Sequence, residues 1–268
     1  MLKFYALISA ACAVLTAILN LNSGLRLLWL VPISFISTFL GLFVLQGIIF
    51  LISILFVDVN KPPKHSRYYR LSTLLLLKLI VPLLRVKVHA TGVDKVPRDC
   101  RFLLVCNHLH DVDPAVIMYS LPFAELGFIG KKEIYRDMKF IGRVMHSLHG
   151  LPIDRENNRS AVLTIGAAAE FIKNDEASMS IFPEGYVSIS GKFQPFRNGA
   201  FKIAKKAHCP IVVATLKNTK QVVKNMFLRN TDVYFDVLDV VDTETVDALS
   251  TAELSERIHA TMAENLES

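Results

Sequence analysis

Apolar residues are distributed unevenly along this 268-residue chain. Residues 4–21 and 27–57 form two long apolar runs, and Arg26 is the only charged residue between positions 4 and 57. A bilayer core of about 30 Å needs roughly 20 helical residues, so the second run has to tilt, kink at Pro32 or continue into the interface. We predict a membrane-anchoring helical hairpin over residues 1–58. A signal peptide is the alternative for the first run, because Lys3 precedes it, but no clear small-residue cleavage site follows.

Beyond residue 58, short apolar stretches alternate with helical patterns. Residues 71–84 predict an interfacial helix or a buried core helix, ended or kinked by Pro82. The predicted strands are residues 86–90, 102–106, 127–129, 151–154, 178–182, 211–216 and 233–241, and the predicted helices are residues 114–121, 132–149, 159–174, 199–206 and 250–266. This alternation predicts an α/β fold with a mixed, mostly parallel sheet flanked by helices. We assign residues 59–89 to a basic interfacial segment and helix, and residues 90–268 to the α/β domain.

The distribution of charge predicts on which side of the membrane the α/β domain lies. Residues 60–90 contain no Asp or Glu but seven basic residues, namely Lys61, Lys64, Arg67, Arg70, Lys78, Arg85 and Lys87. Basic flanks stay on the cytoplasmic side, which predicts a cell-membrane protein with its α/β domain on the cytoplasmic face. The same stretch would attract anionic lipid headgroups, so we expect membrane lipids, and not nucleic acid, as partners. The four cysteines lack any C-x-x-C pair, which argues against a disulfide framework and favours a reducing compartment.

Candidate chemistry is concentrated in residues 106–114, which read C-N-H-L-H-D-V-D-P where a buried strand ends and a helix begins. Ligands of open α/β sheets bind at such places. Pro114 suits the first helical turn, which puts Asp113 near the helix N-cap. From there Asp113 can accept a hydrogen bond from His108, leaving the other ring nitrogen to take a proton from a hydroxyl. Because the chain has no nucleophile motif such as G-x-S-x-G, we expect direct transfer to a substrate hydroxyl.

Two other interpretations of this segment compete. A histidine near a strand end is often only structural, although an Asn-His pair followed five residues after the histidine by Asp-Pro is a rare spacing. His108-x-His110 with two aspartates is also similar to metallohydrolase ligand clusters. Val112, however, stands where H-x-H-x-D-H requires Asp, and Pro114 ends the cluster without a third His. We therefore predict no metal site.

The segment resembles the N-H-x-x-x-x-D box of the glycerolipid acyltransferase family, which includes bacterial 1-acylglycerol-3-phosphate (lysophosphatidic acid) acyltransferases. Further blocks follow in the family's order. Residues 130–134 resemble its A-K-x-E-L segment, residues 150–155 its G-x-x-x-(I/V)-D-R box, residues 182–185 the start of its F-P-E-G-T-R-S box, and residues 191–200 the continuation of that box. Residues 209–213 stand where its proline-containing strand is expected. The resemblance covers roughly residues 90–216.

This resemblance implies roles for single residues. His108 would be the general base and Asp113 its orienting partner, while Lys131 and Arg155 would face the phosphate of the acceptor. Glu184 and Gly185 would shape the acceptor site, with backbone N–H groups around Gly185 as candidate oxyanion donors. The predicted substrate-binding set also includes Asn107, Gly150 and Pro183. The plainer alternatives are a solvated Lys131 and a structural ion pair between Asp154 and Arg155.

The resemblance further implies a reaction: acyl transfer from acyl-CoA or an acyl carrier protein thioester to lysophosphatidic acid, giving phosphatidic acid without a cofactor. One departure concerns the acceptor. Tyr186-Val187 replaces the family's Thr-Arg, so the arginine that helps to hold phosphate is missing. Lys192, Arg197 or Lys202 could supply that charge, or the acceptor could present its phosphate differently.

Several alternatives therefore stay open from the sequence. The acceptor could be another lysophospholipid or glycerol 3-phosphate. The protein could instead be a metal-dependent lipid hydrolase, or a non-catalytic lipid-binding protein that kept the fold. The sequence gives neither the donor's chain length nor the oligomeric state.

Overall fold

The computed structural model describes residues 2–63, 66–187 and 193–267 of the chain. It divides into two compact units, Met1–Val57 and Asp58–Ser268, which we call the hairpin unit and the sheet unit.

The hairpin unit consists of α1 (Leu2–Leu19) and α2 (Leu27–Leu55), joined by a 3₁₀ turn over Leu21–Arg26. The helices run antiparallel, because Tyr5 Oη donates to Gln46 Oε1 at 3.0 Å and the Thr16 and Ser34 hydroxyls lie 2.9 Å apart. Such bonds satisfy polar groups that an apolar medium would leave unpaired. Helix α2 continues through Pro32, and its 29 residues span about 43 Å. Both helices are long and apolar enough to cross a membrane, as predicted.

The sheet unit contains seven strands and nine α-helices in its described part. The strands are β1 (Val86–Thr91), β2 (Leu103–Cys106), β3 (Leu126–Lys131), β4 (Leu151–Ile153), β5 (Ser178–Ile181), β6 (Ile211–Lys217) and β7 (Thr231–Val241). The helices are α3 (Arg67–Leu83), α4 (Asp113–Ser120), α5 (Lys132–Asp137), α6 (Lys139–His146), α7 (Asn158–Lys173), α8 (Lys202–Ala207), α9 (Lys220–Asn225), α10 (Thr243–Ala248) and α11 (Thr251–Glu267).

The strands form one mixed sheet in the order β1-β7-β6-β2-β5-β3-β4. All neighbouring pairs are parallel except β6 and β7, which are antiparallel. The predicted α/β class with a mostly parallel sheet is confirmed. Parallel order also means that β2, β3, β4, β5 and β6 end at the same edge of the sheet, which we call the carboxyl edge.

Both faces of the sheet are covered by helices. Along β2, Leu103 and Val105 belong to a core with buried residues of α7, α8 and α11, whereas Leu104 and Cys106 belong to a second core with α4. Strands buried on both faces read as continuous apolar runs, which is why β2 (L-L-V-C) and most of β6 (I-V-V-A-T-L) are almost entirely apolar. Strand β5 (S-M-S-I) instead alternates buried serines with apolar residues.

Helix α3 and β1 pack within the sheet unit, where β1 pairs with β7. Helix α3 ends one residue after Pro82, as predicted, and its N-terminal residues include Arg70, which is not a free surface cation. The Arg70 guanidinium donates to the carbonyl oxygens of Ala124 and Pro122 at 2.8 and 2.7 Å. This residue of the predicted lipid-attracting stretch therefore has a structural role.

Candidate active site

The four sequence blocks meet at the carboxyl edge. Strands β2, β5, β3 and β4 are neighbours in that order. The blocks at residues 107–113 and 182–185 follow β2 and β5, the block at residues 130–134 begins at the end of β3, and the block at residues 150–155 contains β4. At about 4.8 Å per strand, the distance from β2 to β4 is roughly 14 Å. A topology that crosses from β2 to β3 and returns to β5 creates a crevice at this edge, where ligands of α/β sheets bind.

His108 and Asp113 form the centre of the site. His108 Nδ1 lies 2.8 Å from Asp113 Oδ2, the carboxylate is fully buried, and the His108 side chain is 12% exposed. The same oxygen accepts the backbone N–H groups of Leu109 and His110 at 2.7 and 2.9 Å. In the neutral imidazole, an Nδ1–H donated to this carboxylate leaves Nε2 as the nitrogen without a proton, which is the state required of a general base.

Asp113 lies next to the N-cap of α4, as predicted. The N-cap of α4 is Val112, and Asp113 is the first helical residue, followed by Pro114. The two N–H groups that hold its carboxylate come from the loop before α4, not from the first turn of the helix. The six-residue loop between β2 and α4, more than the helix dipole, therefore fixes the carboxylate.

Glu184 and Phe182, from the loop after β5, hold His108 from the other side. The imidazole stacks on the Phe182 ring with centroids 4.1 Å apart and planes 11° apart. Glu184 Oε1 accepts His108 N–H at 2.9 Å, and its Oε2 accepts Gln194 N–H at 3.1 Å. Burial raises the pKa of Glu184 above its usual value, although both N–H bonds act in the opposite direction. The predicted acceptor-site residue Glu184 thus also positions the base.

Asn107 joins the base to the next strand. Its Nδ2 donates to the Leu216 carbonyl at 3.0 Å and its Oδ1 accepts Leu216 N–H at 2.7 Å. The side chain is 1% exposed, so both polar ends of the amide are engaged away from solvent. The geometry gives Asn107 a positioning role at the end of β2, and its assignment to substrate binding stays a prediction.

The two predicted glycines lie where a side chain would not fit. A Cβ on Gly150 would stand 2.5 Å from the Met145 carbonyl oxygen. Gly185 has φ +82°, and a Cβ there would stand 2.8 Å from Arg197 Nε. The N–H of Gly185 donates to the Phe182 carbonyl at 3.1 Å, so that group is already used in a turn. Any oxyanion donor near this turn has to be a different N–H.

A cavity of about 330 Å³ adjoins this turn. Its walls are mostly apolar and come from β3, β4, β5 and α7, with Phe182, Pro183 and Gly185 on the side of the base. Three cationic side chains, Arg155, Arg197 and Lys202, line it, and no acidic residue is among its lining residues. A concave apolar site with clustered cations suits an amphipathic anion.

Arg155 is not tied up in the predicted alternative ion pair. Asp154 instead binds Lys132 Nζ at 2.6 Å. Arg155 is half-buried, and burial together with the neighbouring Arg197 lowers its pKa. Two guanidinium groups that repel each other form a site whose charge an anionic ligand would balance.

Arg197 is oriented by Tyr186, the residue that departs from the family's pattern. Its Nη2 donates to Tyr186 Oη at 2.6 Å, and its guanidinium lies 5.2 Å from the centre of the Tyr186 ring. Of the three cations considered as replacements for the missing arginine, Arg197 and Lys202 line the cavity, and Lys192 lies outside the described residues. The Tyr186–Arg197 pairing and the Phe182 stacking were not predicted, because no local sequence pattern reports a contact across a loop.

Lys131 ends β3 at the carboxyl edge with an exposed side chain, and it is not among the residues lining the cavity. Its proposed contact with phosphate stays a prediction. Among residues 2–63, 66–187 and 193–267, no three His, Cys, Asp or Glu side chains are grouped so that they could hold a metal ion. His110 Nδ1 accepts Val112 N–H at 3.3 Å, a local turn contact.

Known proteins share sequence with this chain. Residues 87–217 match the family model described as Acyltransferase. The chain is 27% identical over 203 residues to a 1-acyl-sn-glycerol-3-phosphate acyltransferase of Borreliella burgdorferi, covering 71% of this chain and 76% of that protein. It is also 27% identical over 141 residues to the protein of that name from Limnanthes alba, where the match covers 53% of this chain and about half, 49%, of the plant protein.

The fold has a solved counterpart. The crystal structure of the 1-acyl-sn-glycerophosphate (LPA) acyltransferase PlsC from Thermotoga maritima superposes with a TM-score of 0.62 at 21% identity, covering 100% of this chain and 97% of that one. At this identity the likeness establishes the shared fold.

Proposed function

Since residues 87–217 match the Acyltransferase family model, we propose that this protein moves a fatty acyl group from a thioester to the free hydroxyl of lysophosphatidic acid, giving phosphatidic acid. The observation that carries this proposal is the His108–Asp113 pair at 2.8 Å beside a cation-lined apolar cavity. The curated relatives named as 1-acyl-sn-glycerol-3-phosphate acyltransferases support the same acceptor.

The reaction needs one proton to move twice. His108 Nε2 takes the proton from the acceptor hydroxyl while the oxygen attacks the thioester carbonyl. The tetrahedral intermediate then expels the thiolate, which takes the proton back from the imidazolium. Asp113 stabilises that imidazolium and keeps Nδ1 as the donor throughout. The acyl group passes directly to the acceptor, so no covalent enzyme intermediate forms.

The cation cluster supports a phosphate-bearing acceptor. Arg155 and Arg197 bring two planar guanidinium groups to one cavity, the arrangement that best matches phosphate oxygens. Arg197, set by Tyr186, would replace the arginine that the family has two residues after the glycine of its F-P-E-G box. Lys131, at the adjacent strand end, would contact the same headgroup.

The hairpin unit supports a reaction that takes place at the membrane surface. An acceptor that is itself a membrane lipid presents its glycerol hydroxyl near the interface, while acyl-CoA or an acyl carrier protein arrives from the aqueous side. The basic flank at residues 60–90 would keep the sheet unit on the cytoplasmic face of the cell membrane. We therefore retain the division into an anchor at residues 1–58, a basic segment at residues 59–89 and a catalytic domain at residues 90–268.

The test is a thioester-dependent acylation assay with the full-length protein. Lysophosphatidic acid, glycerol 3-phosphate and lysophosphatidylcholine are compared as acceptors, each with acyl-CoA and with acyl carrier protein as donor. We expect lysophosphatidic acid to be preferred, and His108→Ala serves as the blank. A preference for either other acceptor contradicts the assignment, and activity abolished by a chelator would favour the metal-dependent hydrolase.

A further inference from the structure

A second surface at the carboxyl edge is separate from the cavity. It is the connection between β6 and β7, residues 218–230. Four large apolar side chains are exposed there within six residues: Val223 (48%), Met226 (38%), Phe227 (56%) and Leu228 (79%). Exposed apolar residues are common singly, but a contiguous group marks an interaction site.

The segment that exposes these four side chains is an ordered part of the fold. Val222 of α9 is buried in the core, and Asn225 accepts the N–H groups of both Leu228 and Arg229 at 2.9 Å through its carbonyl oxygen. Phe227 has φ +65°, a left-handed conformation that bulky residues rarely adopt. Backbone strain of this kind persists where the surrounding structure fixes it, and it is concentrated at functional positions. Here it belongs to an aromatic residue that is 56% exposed.

The C-terminal end of α3 lies beside this connection. Strands β1 and β7 start in register, with Val86 opposite Thr231. Thr231 N–H donates to the Arg85 carbonyl at 3.0 Å, and Arg85 Nε donates to Asn230 Oδ1 at 3.2 Å. The last two turns of α3 have three exposed apolar side chains, Leu79, Ile80 and Leu83, of which we count Ile80 and Leu83 with this surface. We call the combined surface the edge patch: Ile80, Leu83, Val223, Met226, Phe227 and Leu228.

Basic side chains surround the edge patch. Arg85, Lys87, Lys224 and Arg229 are all exposed, and no Asp or Glu occurs from residue 217 to residue 231. Apolar side chains bordered by Lys and Arg are typical of surfaces that lie in the headgroup region of an anionic bilayer. The charges therefore indicate an anionic occupant, and the six apolar side chains indicate one with an apolar interior.

The edge patch and the base share one edge of the sheet. Asn107, the neighbour of His108, is hydrogen-bonded to Leu216 near the end of β6, four residues before α9 begins. We propose that the edge patch docks the sheet unit on the surface of an anionic membrane, so that the carboxyl edge faces the lipid. This inference rests on the proposed function, because only a lipid acceptor requires that orientation.

The test uses the single tryptophan of the chain, Trp29. The full-length Trp29→Phe protein carrying Leu228→Trp is reconstituted in phosphatidylglycerol vesicles with brominated acyl chains. The matched control carries Asp99→Trp, an exposed position in the turn before β2 at the opposite edge of the sheet. We expect a blue-shifted emission at position 228, quenched at least about twofold more than at position 99.

Three results would overturn the proposal. Equal quenching at both positions would show that the edge patch does not contact lipid. Equal quenching of position 228 in brominated phosphatidylcholine would remove the role of anionic headgroups. A blue shift that appears only on adding an acidic acyl carrier protein would make the partner a protein. Quenching needs no turnover, so its outcome is independent of whether the proposed reaction is right.

Introducing negative charge into the edge patch gives a second readout. The Phe227→Asp, Leu228→Asp double variant should turn over a vesicle-embedded acceptor roughly tenfold more slowly than the unmodified protein. Its rate with a short-chain acceptor in monomeric solution should be unchanged. The same loss with both acceptors would contradict a docking role.

Discussion

The loop that holds the base, residues 107–113, and the cavity that is lined by cations are built in opposite ways. We call this loop the corner. At the corner, one oxygen of Asp113 accepts three donors, and Glu184 bridges two backbone segments. In the cavity, Arg155 has no hydrogen bond or ion pair within the described part of the chain, and Arg197 is held by Tyr186. The groups that orient His108 are therefore bonded without a ligand, and of the buried side-chain atoms of the corner only Asp113 Oδ1 is left without a hydrogen bond among the described residues. The cavity, in contrast, has excess charge.

This contrast matches two different functions, positioning a base and binding an anion. A base has to be in position before the substrate arrives, because reorganisation at the moment of reaction costs free energy. A binding site for an anion instead gains from donors that are unsatisfied until the ligand comes, since the ligand then replaces water and relieves repulsion between cations. Variants of the corner should therefore lower kcat, and variants of the cavity should raise KM for charged acceptors.

The largest expected effect comes from removing the base. His108→Ala should lower kcat by about 10²–10⁴-fold, because the acceptor hydroxyl loses its proton acceptor. The measurement is single-turnover acylation of lysophosphatidic acid. His110→Ala is the matched control, since His110 has no contact with Asp113 through its ring, and it should retain most of the activity. Turnover of His108→Ala near the unmodified rate would remove the base assignment.

The next effect should come from the cavity. Arg155→Ala together with Arg197→Ala should lower kcat/KM for lysophosphatidic acid by about 10²-fold, because hydrogen bonds to charged groups contribute about 1.5–3 kcal/mol each. Uncharged monoacylglycerol should show little change. Arg159→Ala, an exposed arginine outside the cavity lining, is the control. An equal loss with charged and uncharged acceptors would mean that these arginines do not bind phosphate.

A smaller effect should follow Glu184→Gln. The amide can accept only one of the two N–H groups that Glu184 accepts now, and its NH₂ would face the other. We expect a loss of about 1–3 kcal/mol in the free energy of unfolding and about a tenfold lower kcat, with KM nearly constant. Denaturant unfolding and steady-state kinetics measure both. A change confined to KM would place Glu184 with the cavity instead of the corner.

How much the sequence could predict also differs between the corner and the cavity. The corner is encoded within six residues, so the spacing of His108 and Asp113 at a strand-to-helix junction was enough to place them. The strands of the central sheet were predicted because burial on both faces leaves unbroken apolar runs.

The rest depends on contacts that no local pattern reports. Asn107 is bonded to Leu216, 109 positions away, and Asp154 is paired with Lys132 and not with its neighbour Arg155. Gly150 is required by its approach to Met145, which only packing reveals. Helices α9 and α10 were missed because six residues are too few to show a helical period.

Tyr186 tests how far the cavity depends on orientation in addition to charge. Tyr186→Phe removes the 2.6 Å hydrogen bond to Arg197 but keeps the ring beneath the guanidinium. A bond to a charged group that is exposed to solvent should be worth about 1 kcal/mol, so KM for lysophosphatidic acid should rise roughly three- to fivefold with kcat unchanged. Tyr186→Leu, which also removes the cation–π contact, should raise KM further.

If neither variant changes KM, Arg197 binds phosphate without help from Tyr186, or binds none. The Arg197→Ala variant distinguishes these outcomes, because only in the first does it raise KM by itself.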